Sequence, residues 1–317
     1  MATARRGRRR SGRSHRVAAR SARRARLTGV TLPSVTPVTG RLVVTGARGQ
    51  LGRALLDLAP DARGYTHADL DITDLDAVRA ALRCGDVVIN CAAYTAVDRA
   101  ETDIDAACAV NARGPMALAV ACGEVGARLI HVSTDYVFPG TGSRPYETAD
   151  PTGPTSVYGK SKLAGERAVA DLLPETGHIV RTAWVYTGTG SDFVATMRRL
   201  ERERETVDVV DDQIGSPTYA PDLAAALVEL AEQPDAPRIL HAANAGQASW
   251  FDLARAVFAG VGADPDRVRP CSTSAFPRPA PRPAYSVLST ASWTAAGLSP
   301  LRPWQDALND ALAAASD

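Results

Sequence analysis

Lysine is nearly absent from this 317-residue chain, and the sequence features typical of membrane, disulfide-rich and metal-binding proteins are missing too. Only two of its 36 basic residues are lysines, and arginine supplies the others. No apolar run approaches the ~18 residues that would span a membrane, so we expect no membrane partner. The five cysteines and five histidines show neither paired nor metal-ligand spacing, which argues against a disulfide framework and predicts no bound metal. Free thiols of this kind are typical of a cytoplasmic protein.

Acidic residues are missing from the first 40 positions, which contain eleven arginines among serine, alanine, glycine and proline. Such a stretch cannot bury enough apolar surface to offset its ordering entropy, so we predict a disordered basic leader over residues 1–40. A basic arm that touches nucleic acid or membrane is the alternative. Residues 41–317 hold 25 basic against 35 acidic residues, a net charge of about −10, which argues against a nucleic-acid partner.

The two lysines lie in one short stretch, Tyr158-Gly159-Lys160-Ser161-Lys162. Its Tyr-x-x-x-Lys spacing places Tyr158 and Lys162 on one helix face, about one turn apart. An ammonium close to a phenol lowers the phenol's pKa from about 10, so we expect the pair to deliver and recover a proton near neutral pH. Arginine cannot readily replace the compact lysine ammonium, so a lysine here favours catalysis over an ordinary surface tyrosine.

A glycine turn follows the first predicted strand, residues 41–45. It reads Gly46-Ala-Arg-Gly49-Gln-Leu-Gly52 and opens a helix that runs to about residue 58. Glycines at this spacing let the backbone turn tightly and approach a pyrophosphate, whose charge is stabilised by the N–H groups of the helix N-terminus. The turn therefore predicts a dinucleotide site.

The end of the second strand indicates which dinucleotide binds. An acid there would bind the adenosine ribose, yet residues 65–67 contain none, and Asp71 comes only later. Arg48 lies inside the glycine turn, where it suits a 2′-phosphate. We therefore predict NADPH, with NADH as the alternative. Asp71 and Asp74 also suit capping of a helix over residues 74–82.

Apolar strands alternate with helical segments from residue 41 to residue 186. This alternation predicts an α/β fold with a doubly wound, Rossmann-like parallel sheet over residues 41–186. Beyond residue 186 the rhythm breaks, and residues 187–317 are expected to form a smaller C-terminal α/β substrate lobe. Ser133 and Thr134 end one of the strands, so either hydroxyl is a candidate to hold a substrate carbonyl.

Several stretches together match one family: residues 46–52 (G-A-R-G-Q-L-G), 92–101 (A-A-Y-T-A-V-D-R-A-E), 133–138 (S-T-D-Y-V-F), 158–166 (Y-G-K-S-K-L-A-G-E) and 212–218 (D-Q-I-G-S-P-T). From about residue 41 to residue 315 the chain resembles the dTDP-4-dehydrorhamnose reductases, which are extended short-chain dehydrogenases/reductases. The resemblance implies NAD(P)H-dependent reduction of the C4 ketone of a dTDP-4-keto-6-deoxyhexose, dTDP-4-dehydro-L-rhamnose, to dTDP-L-rhamnose. We expect a monomer or a homodimer.

The resemblance also implies roles for individual residues. Tyr158 would donate the proton, Lys162 would lower its pKa and hold the nicotinamide ribose, and Thr134 would bind the carbonyl. The candidate cofactor contacts, besides Tyr158 and Lys162, are Gly46, Arg48, Gly49, Gln50, Leu51, Asp71, Ile72, Ala92, Ala93, Tyr94, Thr95 and Asn111. The candidate substrate contacts are Val97, Thr134, Asp135, Trp184, Gln213 and Arg282, the last as a phosphate partner or a solvated arginine.

Other functions stay open at this point. A sister reductase that acts on another dTDP-4-keto sugar of an antibiotic pathway, such as dihydrostreptose synthesis, fits the same motifs. A non-catalytic, cofactor-binding regulatory subunit would have no need of Tyr158, Lys162 and Thr134, whose presence argues against it. A dehydratase would need an Asp-Glu pair after the threonine, and here Tyr136 follows Asp135. Some relatives bind a metal through an acid early in the first helix, but residues 52–55 contain none.

Overall fold

A six-stranded parallel sheet forms the centre of the structure, a computed structural model that describes residues 40–315. Its strands are β1 (Leu42–Thr45), β2 (Arg63–Tyr65), β3 (Val87–Asn90), β4 (Arg128–Thr134), β5 (Gly177–Thr182) and β10 (Ile239–His241). They lie in the order β2-β1-β3-β4-β5-β10, and every neighbouring pair is parallel. The chain runs outward from β1 in both directions, so the predicted doubly wound α/β fold is confirmed.

The described residues form eleven α-helices, of which the first eight lie between these strands along the chain. They are α1 (Gln50–Leu58), α2 (Leu75–Ala81), α3 (Val97–Ala100), α4 (Ile104–Cys108), α5 (Gly114–Val125), α6 (Val157–Leu172), α7 (Phe193–Glu203), α8 (Ala220–Ala231), α9 (Trp250–Gly260), α10 (Ala291–Ala295) and α11 (Trp304–Ala314). The predicted cap of α2 is confirmed, since the Asp74 carboxylate accepts hydrogen bonds from the N–H groups of Asp76 and Ala77. Ser249 and Asp252 form a capping box at the start of α9.

Alternate residues of each central strand pack against different helices, as a sheet covered on both faces requires. On one face, strand residues such as Val44 and Ile130 pack with apolar residues of α1, α8 and α10. On the other face, strand residues such as Val43 and Leu129 pack with apolar residues of α2, α5 and α6. This second face includes α6, so the helix that carries Tyr158 is fixed directly to the sheet.

A second apolar core lies in the later part of the chain. It brings together α7, α9 and α11 with β7 (Val207–Val210) and β12 (Val268–Cys271), which pair in parallel. The remaining short strands are β6 (Val185–Tyr186), β8 (Ile214–Gly215), β9 (Thr218–Tyr219) and β11 (Ala248–Ser249). The main sheet takes its sixth strand, β10, from beyond residue 186. The division at that residue stays a prediction, as does the basic leader, whose residues 1–39 lie outside the described part of the chain.

Candidate active site

Helix α6 positions Tyr158 and Lys162 at the carboxyl edge of the sheet. The helix begins after Ser156, whose hydroxyl accepts a hydrogen bond from the N–H of Gly159 at 3.1 Å. Both functional side chains are buried. The Lys162 amino group donates to the Val132 carbonyl oxygen at 2.7 Å and lies 3.4 Å from Nε2 of His131. Lys162 is therefore held against β4 on the side of the helix that faces the sheet.

Burial changes the acidity of both groups. The pKa of Tyr158 is raised to about 12 because burial penalises the phenolate, although the neighbouring Thr134 hydroxyl acts in the opposite direction. The expectation of a lowered phenol pKa is therefore wrong for this structure. The pKa of Lys162 is lowered to about 8 by burial, and Glu166 and Cys91 offset only part of that effect. At neutral pH the structure keeps Tyr158 protonated, as a proton donor must be.

Thr134 and Asp135 lie beside Tyr158 at the end of β4. The Thr134 hydroxyl donates to Oδ1 of Asp135 at 2.9 Å and accepts from the N–H of Tyr136 at 3.2 Å. Burial raises the pKa of Asp135 to about 6, against hydrogen bonds that favour the carboxylate. The Tyr136 ring meets the Tyr158 ring edge to face at 5.4 Å and so fixes the phenol opposite Thr134.

The glycine turn forms a backbone cradle at the same edge of the sheet. Gly46 has a φ of +70°, and a Cβ there would lie 2.6 Å from the backbone nitrogen of Ala92. A Cβ at Gly52 would press on the Gly46 carbonyl oxygen. Helix α1 begins after Gly49, which has no side chain to cap the first turn. The free N–H groups beside this close-fitting turn suit a pyrophosphate, so the residues present fit a dinucleotide.

Gln50 and Leu51 contribute to this cradle through their backbone. The Gln50 side-chain amide donates to the Asp192 carboxylate at 3.1 Å. The Leu51 side chain is buried in the core of the sheet.

The end of β2 carries no acid at residues 65–67, and Asp69 and Asp71 follow it. Arg48 is exposed. The pKa of Asp69 is lowered mainly by hydrogen bonds from Thr66, and Arg48 and Arg63 add smaller electrostatic contributions. Asp71 accepts hydrogen bonds from the backbone and hydroxyl of Thr73, at 2.9 and 2.8 Å. The Asp71 carboxylate thus has a local partner, and Arg48 and Arg63 lie close enough to Asp69 to act on its pKa.

Asn111 connects the segment after β3 to the catalytic helix. It lies in a π-helical turn, Ala109–Arg113, and is fully buried. Its Oδ1 accepts from the N–H of Tyr94 at 2.8 Å, and its Nδ2 donates to the Tyr94 carbonyl and the Ser161 hydroxyl, both at 3.0 Å. The predicted contacts Ala92, Ala93, Tyr94 and Thr95 belong to this segment, and Val97 begins α3 directly after it.

Trp184 follows β5 at the same edge, in a backbone conformation that is rare for a bulky residue, with φ +47°. Its ring stacks on Trp250 with centroids 3.5 Å apart. A Cβ at Gly215 would lie 2.5 Å from the Trp184 ring, so the turn over residues 212–218 packs against it. Glycine at position 215 therefore makes room for the indole.

Gln213 and Arg282 have partners within the chain. Gln213 donates to the Thr273 hydroxyl at 3.0 Å, and Arg282 forms an ion pair with Asp98 at 2.8 Å. Their roles as substrate contacts stay predictions.

Residues 280–288, here called the crossing segment, bring in a functional candidate that the sequence did not indicate. The N–H of Tyr285 donates to the Gly140 carbonyl and that of Ser286 to the Ile214 carbonyl, at 3.0 and 2.8 Å. These bonds place the Ser286 hydroxyl close enough to Asp135 to act on its pKa. Oδ2 of Asp135 and the Ser286 hydroxyl are buried, and neither has a hydrogen-bond partner that meets normal geometry in the described residues. The Ser286 hydroxyl therefore lies beside the Asp135 carboxylate in the buried part of this edge.

Two further findings concern the whole of the described chain. Within residues 40–315, no group of three or more histidine, cysteine, aspartate or glutamate side chains is arranged to hold a metal ion, and the absence of a metal stays a prediction. Over the same residues, no helix combines the length and apolar character needed to cross a membrane.

Comparison with known proteins gives consistent matches. A sequence profile described as RmlD substrate binding domain matches residues 40–316. A dTDP-4-dehydrorhamnose reductase of Mycobacterium tuberculosis is 59% identical over 283 residues, covering 86% of this chain and 93% of that protein. A dTDP-4-keto-6-deoxy-D-glucose reductase of Streptomyces niveus is 47% identical over 280 residues, covering 86% of this chain and 97% of that protein. A crystal structure of dTDP-4-dehydrorhamnose reductase from Bacillus anthracis, in complex with NADP, has a TM-score of 0.79 and 38% identity, and covers 85% of this chain and 97% of that chain.

Proposed function

The chain belongs to the RmlD substrate binding domain family, and on this premise we propose that it uses NADPH to reduce the C4 ketone of dTDP-4-dehydro-L-rhamnose, which yields dTDP-L-rhamnose. The observation that carries the proposal is the meeting of Tyr158, Lys162 and Thr134 at the carboxyl edge of the sheet. The glycine turn lies at that same edge, so a proton donor and a dinucleotide cradle share one crevice.

Each of these residues has a separate task in the reduction. When bound, the nicotinamide supplies the hydride. The Tyr158 hydroxyl donates its proton to the C4 oxygen as negative charge develops there. The Thr134 hydroxyl turns from Asp135 toward the same oxygen and stabilises that charge. Lys162 uses one N–H on the Val132 carbonyl and, when charged, has two left for a ribose hydroxyl.

The cofactor would lie along the carboxyl edge of β2, β1 and β3. Gly46, Gly49 and the backbone of Gln50 and Leu51 would hold the pyrophosphate, and Asp71 and Ile72 would lie near the adenine. The segment after β3 would flank the nicotinamide half, through Ala92, Ala93, Tyr94 and Thr95, with Asn111 holding that segment in place. On the substrate side we propose contacts from Val97, Asp135, Trp184, Gln213 and Arg282.

Arg48→Ala should raise KM for NADPH by about 10- to 100-fold, because a hydrogen bond between two charged groups is worth about 1.5–3 kcal/mol. KM for NADH should change little, since that cofactor lacks the 2′-phosphate. Steady-state kinetics with each cofactor measure both values. Arg53→Ala is the matched control, because Arg53 is also an exposed arginine and lies on α1, five residues after Arg48. An equal loss for NADH and NADPH would contradict the contact with the 2′-phosphate.

A sister reductase activity is the second candidate, and the 47% identity to the Streptomyces niveus reductase favours keeping it. The two activities differ in the sugar substrate. Side chains such as Asp135 and Ser286 would distinguish the two sugars by hydrogen bonds to the sugar hydroxyls. A regulatory, non-catalytic role is disfavoured, since a complete set of catalytic groups would then be without use. The oligomeric state, monomer or homodimer, and the cytoplasmic location stay predictions.

The experiment that tests the proposal supplies dTDP-4-dehydro-L-rhamnose and, separately, dTDP-4-keto-6-deoxy-D-glucose, with NADPH or NADH. Cofactor oxidation is followed by absorbance, and the sugar product is identified by NMR. Turnover of the first substrate to dTDP-L-rhamnose, faster than that of the second, is the expected result. Faster turnover of the second sugar would establish the sister activity. Binding of NADPH without turnover of either sugar would favour the regulatory role.

A further inference from the structure

A chain of buried hydrogen bonds leads from β1 to the amino group of Lys162. The Thr45 hydroxyl donates to Oδ1 of Asn90 at 2.6 Å, and the N–H of Ala92 donates to the same oxygen at 3.1 Å. Because two donors face this atom, it is the amide oxygen. The amide nitrogen of Asn90 therefore faces Nδ1 of His131, 3.0 Å away.

This arrangement assigns the tautomer of His131. The Asn90 amide can only donate, so Nδ1 of His131 accepts and the ring proton is on Nε2. The ring has no exposed surface, and burial and the neighbouring Lys162 hold its pKa well below 6.5, so it is neutral. Its Nε2–H group then faces Nζ of Lys162 at 3.4 Å. When Lys162 is charged both groups are donors, whereas a neutral amine offers a lone pair to that N–H.

We propose that His131 is a positioning residue for Lys162: locked by Thr45 and Asn90, it presents an N–H group that disfavours the charged ammonium and stabilises the neutral amine. The inference rests on the proposed reductase function, in which Lys162 serves Tyr158 and the cofactor. It adds residues of β1, β3 and β4 to the machinery that sets the charge of the catalytic lysine.

The other ionisable groups around Lys162 do not supply this effect. Glu166, one turn later on α6, favours the charged form, yet both of its carboxylate oxygens accept bonds from Arg181, at 2.9 and 2.8 Å. The pKa of the Cys91 thiol is raised to about 12 by burial, so it is neutral. The groups facing the catalytic end of α6 are Tyr158 and Glu166 on the helix itself, Cys91 after β3, Glu101 after α3, His131 on β4, Asp135 and Tyr136 after β4, and Arg181 on β5.

Burial, with the N–H group of His131 acting in the same direction, gives a lysine that titrates close to the working pH. Its pKa, about 8, lies below the usual 10.5. Lys162 is charged below that value and loses its proton as the pH rises through it. Reduction needs the charged form, so turnover should fall on the alkaline side with this midpoint.

The scarcity of lysine makes the proposal directly measurable. In protein labelled with carbon-13 at lysine Cε, only Lys160 and Lys162 give signals, and the exposed Lys160 is an internal reference. In His131→Gln the side-chain oxygen can turn toward Nζ and accept, so the Lys162 midpoint should rise by at least about one pH unit, a tenfold shift in the equilibrium. The alkaline fall of kcat should move upward by the same amount.

His178→Gln is the matched control. His178 is also a buried histidine of the sheet, but its Nε2 lies 3.2 Å from the Ala236 carbonyl, away from Lys162. The Lys162 titration should be unchanged in this variant. An unmoved midpoint in His131→Gln, or an equal shift in both variants, would overturn the proposal.

A second variant keeps the test decisive if His131→Gln fails to fold. In Asn90→Asp the carboxylate accepts from Nδ1–H, which moves the ring proton and turns the Nε2 lone pair toward Lys162. The midpoint should again rise, and an unchanged or lower midpoint would contradict the proposal. The titration needs neither substrate nor cofactor. A shift without any reductase activity would therefore reject the proposed function and leave this inference standing.

Discussion

Tyr158→Phe should lower kcat by roughly 10²–10⁴-fold, the usual contribution of a positioned proton donor. The phenylalanine ring keeps the edge-to-face contact with Tyr136, so the fold and the NADPH affinity should be nearly unchanged. Only the O–H group that protonates the C4 oxygen is removed. Steady-state kinetics give the loss of turnover, and titration of NADPH by its fluorescence gives the cofactor affinity.

Tyr186→Phe is the matched control for this experiment. Tyr186 is a buried tyrosine of the second core, and its hydroxyl has no hydrogen-bond partner among the described residues. Removing that hydroxyl should leave both turnover and melting temperature close to those of the unmodified protein. Turnover of Tyr158→Phe within tenfold of the unmodified protein would contradict the role of Tyr158 as proton donor.

The spacing of Tyr158 and Lys162 predicted their common helix face correctly, but not the acidity of the phenol. A four-residue separation fixes geometry on a helix, and nothing in it specifies which atoms the lysine meets. In the structure Lys162 meets β4, and burial dominates both pKa values. Desolvation depends on everything packed around a group, so its magnitude cannot be read from a five-residue motif.

The sheet was predictable where strands are apolar and separated by helices. Strand β10 could not be predicted, because it contains only three residues and its parallel partner β5 lies far away in the chain. The π-helical turn that carries Asn111 was also missed, since its sequence continues the helical pattern of α4 and α5. Short elements have too few residues for a periodic signal, and long-range pairing decides them.

The substrate side of the site was the hardest part to predict. Asp98 and Arg282 lie far apart in the sequence and form an ion pair, and the crossing segment places Ser286 against Asp135. For Arg282 the prediction rested on charge alone, which suggested a partner for phosphate. No sequence pattern indicated Ser286 as a functional residue, because an isolated serine in a proline- and arginine-rich stretch resembles any loop serine.

Glu166→Ala should destabilise the protein by about 3–5 kcal/mol, which corresponds to a melting temperature lower by on the order of 10 °C. Glu166 and Arg181 form a two-bond ion pair with side chains only 4% and 3% exposed. Loss of the carboxylate leaves a buried guanidinium whose other contacts are the Phe138 ring and the Thr148 carbonyl. Thermal and urea unfolding measure the effect.

The size of this destabilisation should depend on how exposed the ion pair is. A second ion pair with the same two-bond geometry, but on the surface, allows this to be tested. Arg79 donates two bonds to Glu124, both at 2.7 Å, but on the surface. Glu124→Ala should therefore barely change the melting temperature, because water replaces the lost partner. The double variant Glu166→Leu with Arg181→Met should regain most of the stability lost in Glu166→Ala, since no charge is then left buried. Equal losses in Glu166→Ala and Glu124→Ala would contradict the assignment of the cost to an unpaired buried charge.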